Sequence, residues 1–163
     1  MFEFKIKAFI FDLDGTLTNG DIITNSKGIT SRQYNVKDFV GLIKLHEYNP
    51  DLFIACMTGS SEKDIEYRFK KFPFIELFLG CPFNKKLKIL NSLCMQKNIL
   101  LKQVAYIGDD TNDYECLKNV GLTFCPKNSV KQIKDIEGIF ITNKDGGDGV
   151  IREVTDYIIE YNL

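Results

Sequence analysis

The 163-residue sequence has no tryptophan, a single histidine and three arginines. Because His46 is the only histidine and falls near the predicted end of a helix, histidine-based catalysis is excluded. Bidentate recognition of an acidic substrate depends on arginine, and only Arg32, Arg68 and Arg152 can supply it. The chemistry of this protein must therefore depend on side chains other than histidine.

The cysteine pattern suggests neither a disulfide framework nor a zinc knuckle. The five cysteines stand at positions 56, 81, 94, 116 and 125, an odd number without any CxxC pair. We predict reduced thiols, in the core or near the surface of a cytosolic protein.

Long runs of one charge or of apolar residues are missing as well. The net charge of −1 disfavours nucleic acid and membrane surfaces as partners held by bulk electrostatics. No apolar run approaches the ~20 residues of a membrane span, and the first segment, MFEFKIKAFIF, is too short and acid-interrupted for a signal peptide. We expect a cytoplasmic protein of one domain, residues 1–163, with a sizeable core.

Short apolar runs alternate with helical periodicity along the chain. Residues 5–11 are apolar on both faces, as in a parallel strand covered on both sides. Turn signals at Asn19-Gly20 and Lys27-Gly28 predict a β-hairpin over 19–34. The alternation predicts an α/β fold with a parallel sheet between two helical layers. The remaining predicted strands are 52–57, 74–79, 104–108, 121–124 and 138–142, and the predicted helices are 36–48, 61–71, 84–97, 112–119, 128–134 and a C-terminal helix from Val150.

Acidic and hydroxyl side chains follow three of the predicted strands. Asp12 and Asp14 follow the first, Thr58 follows 52–57, and the run Asp109-Asp110-Thr-Asn-Asp113 follows 104–108. In an open parallel sheet, reactive groups gather beyond the carboxyl ends of the strands. Since several carboxylates at one edge cannot all ionise without a cation, this pattern indicates a hard dication, Mg²⁺.

These residue types support phosphate chemistry. Asp12 and Asp14, two residues apart, can face one reacting centre, where one carboxylate attacks and the other carries a proton. Thr58 with the amides of Gly59 and Ser60 can hold an oxyanion at a helix N-terminus.

A lysine at 85 or 86, at the start of the next predicted helix, can neutralise the transferring group. Each feature alone also has an ordinary structural explanation, as a turn, a helix cap or a solvated lysine, but together they favour a site.

The run Asp12-Leu-Asp-Gly-Thr-Leu-Thr18 resembles the first motif of the haloacid dehalogenase superfamily of phosphatases. Thr58, the lysine at 85 or 86, and Gly108-Asp-Asp-Thr-Asn-Asp113 resemble its other three motifs. The resemblance implies a Rossmann-like three-layer fold and an aspartyl-phosphate on Asp12. The intervals between the motifs leave no room for a separate cap domain.

The same resemblance implies a role for each site residue. Asp14 would protonate the leaving oxygen and then activate water. Mg²⁺ would be held by Asp12, the Asp14 carbonyl and Asp109. Asp110 and Asp113 would support these ligands without binding the ion themselves. Thr58 and Lys86 would hold phosphoryl oxygens.

A narrower resemblance is to phosphatases of 3-deoxy-D-manno-octulosonate 8-phosphate and of nonulosonate 9-phosphates. It is carried by the segments 33–38, 104–113 and 146–153. It implies a sugar-acid phosphate as the substrate, a homotetramer built through the hairpins, and a Gly146–Gly149 turn that can reach a neighbouring site. The substrate contacts that we predict are Asn35, Thr58, Gly59, Ser60, Arg68 and Lys85.

Two positions depart from the octulosonate pattern. Those enzymes usually have arginine where this chain has Ser60, and tend to have arginine where it has Asp148. Both changes remove a cation that could hold a sugar-acid carboxylate. Asp148 resembles the acidic residue of some nonulosonate enzymes, so both substrates stay open.

Two functions of other classes are also compatible with parts of the pattern. A receiver-type signalling domain shares the acidic residues, threonine, lysine and Mg²⁺, but its phosphoacceptor follows the third strand, where this chain has no aspartate. A non-catalytic assembly module would not need the complete acidic set.

Overall fold

The computed structural model describes residues 5–161, so the ends of the predicted domain, 1–4 and 162–163, lie outside it. The strands are β1 (Ala8–Phe11), β2 (Ile23–Thr24), β3 (Thr30–Ser31), β4 (Phe53–Met57), β5 (Ile75–Phe78), β6 (Val104–Ile107), β7 (Leu122–Cys125) and β8 (Phe140–Ile141). Six of them form a parallel sheet in the order β5-β4-β1-β6-β7-β8, and β2 and β3 form a separate antiparallel pair.

Helices cover both faces of this sheet, which confirms the predicted α/β class. They are α1 (Val36–Tyr48), α2 (Lys63–Phe69), α3 (Lys86–Gln96), α4 (Tyr114–Asn119), α5 (Lys131–Lys134) and α6 (Val150–Glu160). None of the helices within 5–161 is long and apolar enough to cross a membrane.

The central strand β1 supplies apolar side chains to two separate cores. Phe9 and Phe11 point into a cluster with α1, α2 and α6, whereas Ala8 and Ile10 point into a cluster with α3, α4 and α5. All four residues of β1 are buried. Because successive side chains of a strand alternate between faces, an apolar run at every position is what a doubly covered strand requires.

Helices α1 and α6 pack closely on one face of the sheet. A side chain at Gly41 would collide with Thr155, so only glycine fits the crossing point. The buried carboxylate of Asp38 on α1 accepts a hydrogen bond of 2.9 Å from the backbone N–H of Arg152 in the first turn of α6. Burial raises the pKa of Asp38 to about 6, while hydrogen bonds with the backbone of Arg152, Ile151 and Gly149 oppose the shift.

The predicted helix over 36–48 is confirmed, but the prediction of α2 over 61–71 is wrong at both ends. Helix α2 runs only from Lys63 to Phe69, and its N-cap residue is Glu62. Asp64, in the first turn of α2, forms an ion pair with Arg32, which follows the hairpin. This contact across the fold cannot be read from local sequence.

Candidate active site

Three neighbouring strands deliver the predicted residues to one edge of the sheet. Strand β1 lies between β4 and β6, and the chain leaves them at Asp12, Thr58 and Gly108-Asp109. The parallel registers align Phe11 with both Cys56 and Ile107, so the three exits lie side by side. Asp12 therefore occupies the middle of the site.

Directly after β1, the chain makes a wide helical turn over Leu13–Leu17. Gly15 adopts φ +90°, and a side chain there would collide with the carboxylate of Asp109. Thr16 of the same turn donates a hydrogen bond of 3.0 Å to Asp109 Oδ1. Since β1 ends at Phe11, Asp12 is the N-cap residue of this turn and Asp14 lies within it.

The site contains a cluster of three carboxylates. One oxygen from each of Asp12, Asp109 and Asp113 lies within 4.8 Å of the others. Asp12 is 4% exposed and Asp113 is fully buried. Asp113 Oδ1 accepts a hydrogen bond of 2.7 Å from the Tyr106 hydroxyl, and its Oδ2 accepts one of 3.3 Å from the Asp109 amide. A side chain at Gly108 would fill the space that Asp113 occupies.

Lys86 is buried against this cluster. Its Nζ donates to Asp12 Oδ1 at 2.6 Å and to Asp113 Oδ1 at 2.8 Å, and the side chain is 1% exposed. Burial alone would lower the pKa of Lys86, but Asp12 and Asp113 outweigh it and raise the pKa above its usual value. Lys86 is therefore not a solvated lysine, whereas Lys85 is exposed.

The cluster holds more negative charge than one lysine can neutralise. Burial, reinforced by the nearby Asp113, raises the pKa of Asp109 to about 7. The same two causes raise the pKa of Asp12 well above its usual value, although Lys86 opposes them. Buried carboxylates of this kind either keep protons or bind a cation, and oxygen donors at this spacing suit a hard divalent ion.

Asp14 lies apart from the three clustered carboxylates. Its Oδ1 accepts a hydrogen bond of 2.7 Å from Arg32 Nε, and its Oδ2 accepts bonds from Arg32 Nη2 at 3.2 Å and from the Ser60 hydroxyl at 2.7 Å. Ser60 thus contacts Asp14 directly. The Ser60 amide donates to Thr58 Oγ1 at 3.0 Å, and Thr58 is 2% exposed.

Arg32 is one of the three arginines, but sequence reasoning did not place it in the site, where its guanidinium lies beside Asp14 and Ser60. Its Nη2 is 3.0 Å from the Ser60 hydroxyl. Tyr106 and Thr16 were also missed. The signal that could have identified Tyr106 is a hydroxyl-bearing side chain in an otherwise apolar strand, two residues before the Gly-Asp-Asp run.

The other predicted contacts have varied surroundings. Asn35 caps α1, with its side chain accepting a hydrogen bond from the Lys37 amide. Arg68 stacks on Phe39, with its guanidinium carbon 4.0 Å from the ring centroid. Gly59 is exposed in a loop, because α2 begins only at Lys63, so the expected helix N-terminus does not follow Thr58 directly. Asp110 is exposed and accepts a hydrogen bond from the neighbouring Thr111 amide.

The glycine-rich turn before α6 packs on the first motif of its own chain. Gly147 N–H donates a hydrogen bond of 2.9 Å to the carbonyl of Thr16. A side chain at Gly146 would collide with the Gly15 carbonyl. The turn therefore supports the loop that carries the acidic residues.

Comparison with known proteins identifies the family of this chain. The sequence profile of the haloacid dehalogenase-like hydrolases matches residues 35–154. The 3-deoxy-D-manno-octulosonate 8-phosphate phosphatase KdsC of Yersinia pestis is 30% identical over 155 residues, which are 95% of this chain and 80% of that protein.

Two solved structures are similar over the same extent. The 3-deoxy-D-manno-octulosonate 8-phosphate phosphatase of Moraxella catarrhalis, in complex with magnesium ion, phosphate ion and KDO, has a TM-score of 0.88 and 33% identity, covering 95% of this chain and 86% of that one. The cobalt-bound deoxy-D-mannose-octulosonate 8-phosphate phosphatase of Haemophilus influenzae has a TM-score of 0.85 and 27% identity, covering 96% and 88%.

Proposed function

The chain is a phosphatase of the haloacid dehalogenase-like hydrolase family, and from that premise we propose that it hydrolyses a sugar-acid phosphate, 3-deoxy-D-manno-octulosonate 8-phosphate, through an aspartyl-phosphate on Asp12. The observation that carries the proposal is the buried contact of Asp12 with Lys86 at the sheet edge where Asp109 and Thr58 also lie. A relative that binds magnesium, phosphate and KDO covers 95% of the chain, which supports this substrate class.

The first chemical step transfers the phosphoryl group to the enzyme. A carboxylate oxygen of Asp12 attacks phosphorus, the bond from phosphorus to the sugar oxygen breaks, and Asp14 gives that oxygen a proton, so that the sugar leaves as an alcohol. Lys86 neutralises charge on the reacting oxygens, and the Thr58 hydroxyl donates to a phosphoryl oxygen. Positioning and charge neutralisation are the main demands of phosphoryl transfer.

The second step returns Asp12 to its free form. The Asp14 carboxylate takes a proton from water while the water oxygen attacks phosphorus. The bond from phosphorus to the Asp12 oxygen breaks, inorganic phosphate leaves, and Asp14 is again protonated for the next cycle. One carboxyl group thus serves as acid and then as base.

Magnesium fits the residues at this edge. The carboxylate oxygens of Asp12, Asp109 and Asp113 lie close together, and the pKa of Asp109 is raised. Both observations indicate that the positive charge within this cluster does not balance its negative charge. Asp113 is already engaged by Lys86 and Tyr106, so we assign the ion to Asp12, Asp109 and the Asp14 carbonyl. When bound, Mg²⁺ offsets the charge of the phosphoryl oxygens and lets Asp12 stay ionised.

We expect Mg²⁺ to raise the melting temperature more at pH 8 than at pH 6. The folded pKa of Asp109, about 7, lies above its ordinary value near 4. Its contribution to the stability of the metal-free protein is therefore fully present below pH ~4 and lost as the pH rises through about 7. Protons compete with the ion below that point. At a hundredfold excess over its dissociation constant, Mg²⁺ would add about 2.7 kcal/mol, or roughly 5–10 °C.

Differential scanning fluorimetry with and without Mg²⁺ measures this effect. Asp109→Asn should remove most of the Mg²⁺-dependent increment, whereas Asp135→Asn, at an exposed aspartate paired with Lys131, should retain it. An increment that is equal at pH 6 and pH 8, or unchanged in Asp109→Asn, would place the ion elsewhere.

A substrate panel tests the proposed sugar. We expect kcat/KM for 3-deoxy-D-manno-octulosonate 8-phosphate to exceed that for hexose 6-phosphates by at least about 10²-fold. The sugar acid has a carboxylate in addition to its phosphate, and recognition of this second group contributes several kcal/mol. Comparable values for both would show a general phosphatase.

The panel also includes a 2-keto-3-deoxy-nonulosonate 9-phosphate, which is the second candidate. Position 148 favours it, because Asp148 resembles the acidic residue that some nonulosonate enzymes carry in this turn; its exposed carboxylate lies 3.4 Å from Lys144. A higher kcat/KM for the nine-carbon substrate would reassign the enzyme.

We further propose that the protein is a single cytoplasmic domain without a cap and that it assembles as a homotetramer. Exposed isoleucines on the hairpin support assembly: Ile22, Ile23 and Ile29 are 46%, 56% and 60% exposed. Grouped apolar side chains on a surface element are typical of a subunit interface.

A further inference from the structure

We propose that Arg32, from the segment after the hairpin, is a positioning residue that holds Asp14 in place for proton transfer. The inference rests on the proposed function, in which Asp14 serves as the acid and base. Arg32 is 18 residues from Asp14 along the chain, yet it makes two of the short contacts to the Asp14 carboxylate.

The contact has the paired geometry that fixes a carboxylate plane. Nε donates to Asp14 Oδ1 at 2.7 Å and Nη2 donates to Oδ2 at 3.2 Å, so that each carboxylate oxygen has a guanidinium donor. The Ser60 hydroxyl adds a hydrogen bond of 2.7 Å to Oδ2. Two parallel N–H bonds from a planar group define both the distance and the rotation of the carboxylate, which a lysine cannot do.

Arg32 is itself anchored on the other side. Its Nη1 lies 3.0 Å from both carboxylate oxygens of Asp64 at the start of α2, and its Nη2 is 3.1 Å from Glu62 Oε2. Its side chain is 0% exposed. Because these partners fix the guanidinium from α2, it can transmit a rigid position to Asp14.

The same contacts argue against Arg32 as the receptor for a substrate carboxylate. Asp14, Glu62 and Asp64 already surround the one guanidinium. A sugar acid would bring a fourth negative group to a cation whose nitrogens are all engaged, at the cost of a displaced partner. The arrangement therefore serves Asp14, and the positive charge near Ser60 does not replace a substrate-binding arginine.

The proposal predicts a loss that depends on the leaving group. Under the proposed two-step reaction, kcat/KM reports the transfer to Asp12, in which Asp14 protonates the departing oxygen. Alkyl phosphates need that proton, whereas 4-nitrophenyl phosphate releases a stable anion without it. We expect Arg32→Lys and Arg32→Met to reduce kcat/KM by about 10²-fold for the sugar phosphate and for a simple alkyl phosphate, and by less than about threefold for 4-nitrophenyl phosphate.

A double-mutant cycle separates an action through Asp14 from an independent role. In an Asp14→Asn background, Arg32→Met should cause no further loss with the alkyl phosphate, since the group that it positions is already gone. Asp135→Asn is the control, because it removes an exposed carboxylate paired with Lys131, outside the contacts of Arg32, and should retain wild-type kcat/KM for all substrates. Arg32→Lys keeps a positive charge among the three carboxylates and serves if Arg32→Met does not fold.

Several outcomes would overturn the inference. Multiplicative losses in the cycle, or equal losses for aryl and alkyl phosphates, would show that Arg32 acts independently of Asp14. An increase in KM confined to carboxylate-bearing substrates would make it a substrate receptor. The proposed function fails separately, if the wild-type protein with Mg²⁺ turns over 4-nitrophenyl phosphate but no sugar-acid phosphate.

Discussion

Replacing Asp12 with asparagine is expected to lower kcat by on the order of 10⁴-fold or more, the scale of loss when a covalent nucleophile is removed. The amide oxygen of asparagine has no full negative charge with which to attack phosphorus. Asparagine has nearly the same shape, and its oxygen can still accept the 2.6 Å hydrogen bond from Lys86. The loss of kcat therefore reflects the missing nucleophile, because the side chain at position 12 keeps nearly the same place.

Although Asp12→Asn lowers kcat, it should not lower the stability of the metal-free protein. Burial and Asp113 raise the pKa of Asp12, so its ionised form is disfavoured in the fold. Removing that carboxylate relieves repulsion from Asp109 and Asp113. We expect the metal-free Asp12→Asn variant to melt at or above the wild-type temperature at pH 8, which distinguishes lost catalysis from lost folding.

Trapping the intermediate identifies the nucleophile directly. Borohydride reduction during turnover should modify the tryptic peptide of residues 8–27 in the wild-type protein and leave it unmodified in Asp12→Asn. Asp135→Asn, at an exposed aspartate on another part of the surface, should behave as wild type in both assays. Retained turnover in Asp12→Asn, or a trapped adduct on another peptide, would remove Asp12 from this role.

Much of the fold and the acidic part of the site can be predicted because they follow from local pattern. A strand that is apolar at every position, such as β1, must be covered on both faces, and its carboxyl end then becomes the site. Asp12 and Asp109 stand directly beyond two such strands. Asp12 follows β1 directly, and Asp14 lies in the turn that comes next.

The cationic part of the site depends on contacts that local pattern does not encode. Lys85 and Lys86 differ by one residue in helix register, and only the packing of α3 decides that Lys86 is buried. Arg32 reaches Asp14 and Asp64 over sequence separations of 18 and 32 residues. The hairpin strands β2 and β3 have only two residues each, so local pattern does not determine where the hairpin lies against α2.

Replacing Lys86 with methionine is expected to lower kcat/KM by on the order of 10³-fold, because one preorganised donor to a developing charge is lost. It should also destabilise the metal-free protein by about 3–5 kcal/mol, or roughly 6–20 °C, since Asp12 and Asp113 are then buried without their cation. Both carboxylates lie within 3 Å of Lys86 Nζ, at 2.6 and 2.8 Å. Kinetics and thermal melts measure the two effects independently.

The matched control is Lys85→Met, which removes the same side chain one residue earlier. Lys85 is exposed, so its loss should change the melting temperature by less than about 2 °C and kcat/KM by less than about threefold. Equal losses in the two variants would mean that both lysines contact the substrate. An inactive Lys85→Met beside an active Lys86→Met would reverse the assignment.

Experiments with Mg²⁺ and at different pH distinguish two roles of Lys86, which are charge balance in the fold and contact with the phosphoryl oxygens. Lowering the pH towards 5 protonates the carboxylates whose pKa is raised, so the stability lost in Lys86→Met should shrink there. Mg²⁺ at pH 8 should restore part of the melting temperature, because it supplies charge to the same oxygens, but it should not restore turnover. A cation that recovered both would mean that Lys86 only balances charge, whereas recovery of stability alone places its ammonium group on the transferring phosphoryl oxygens.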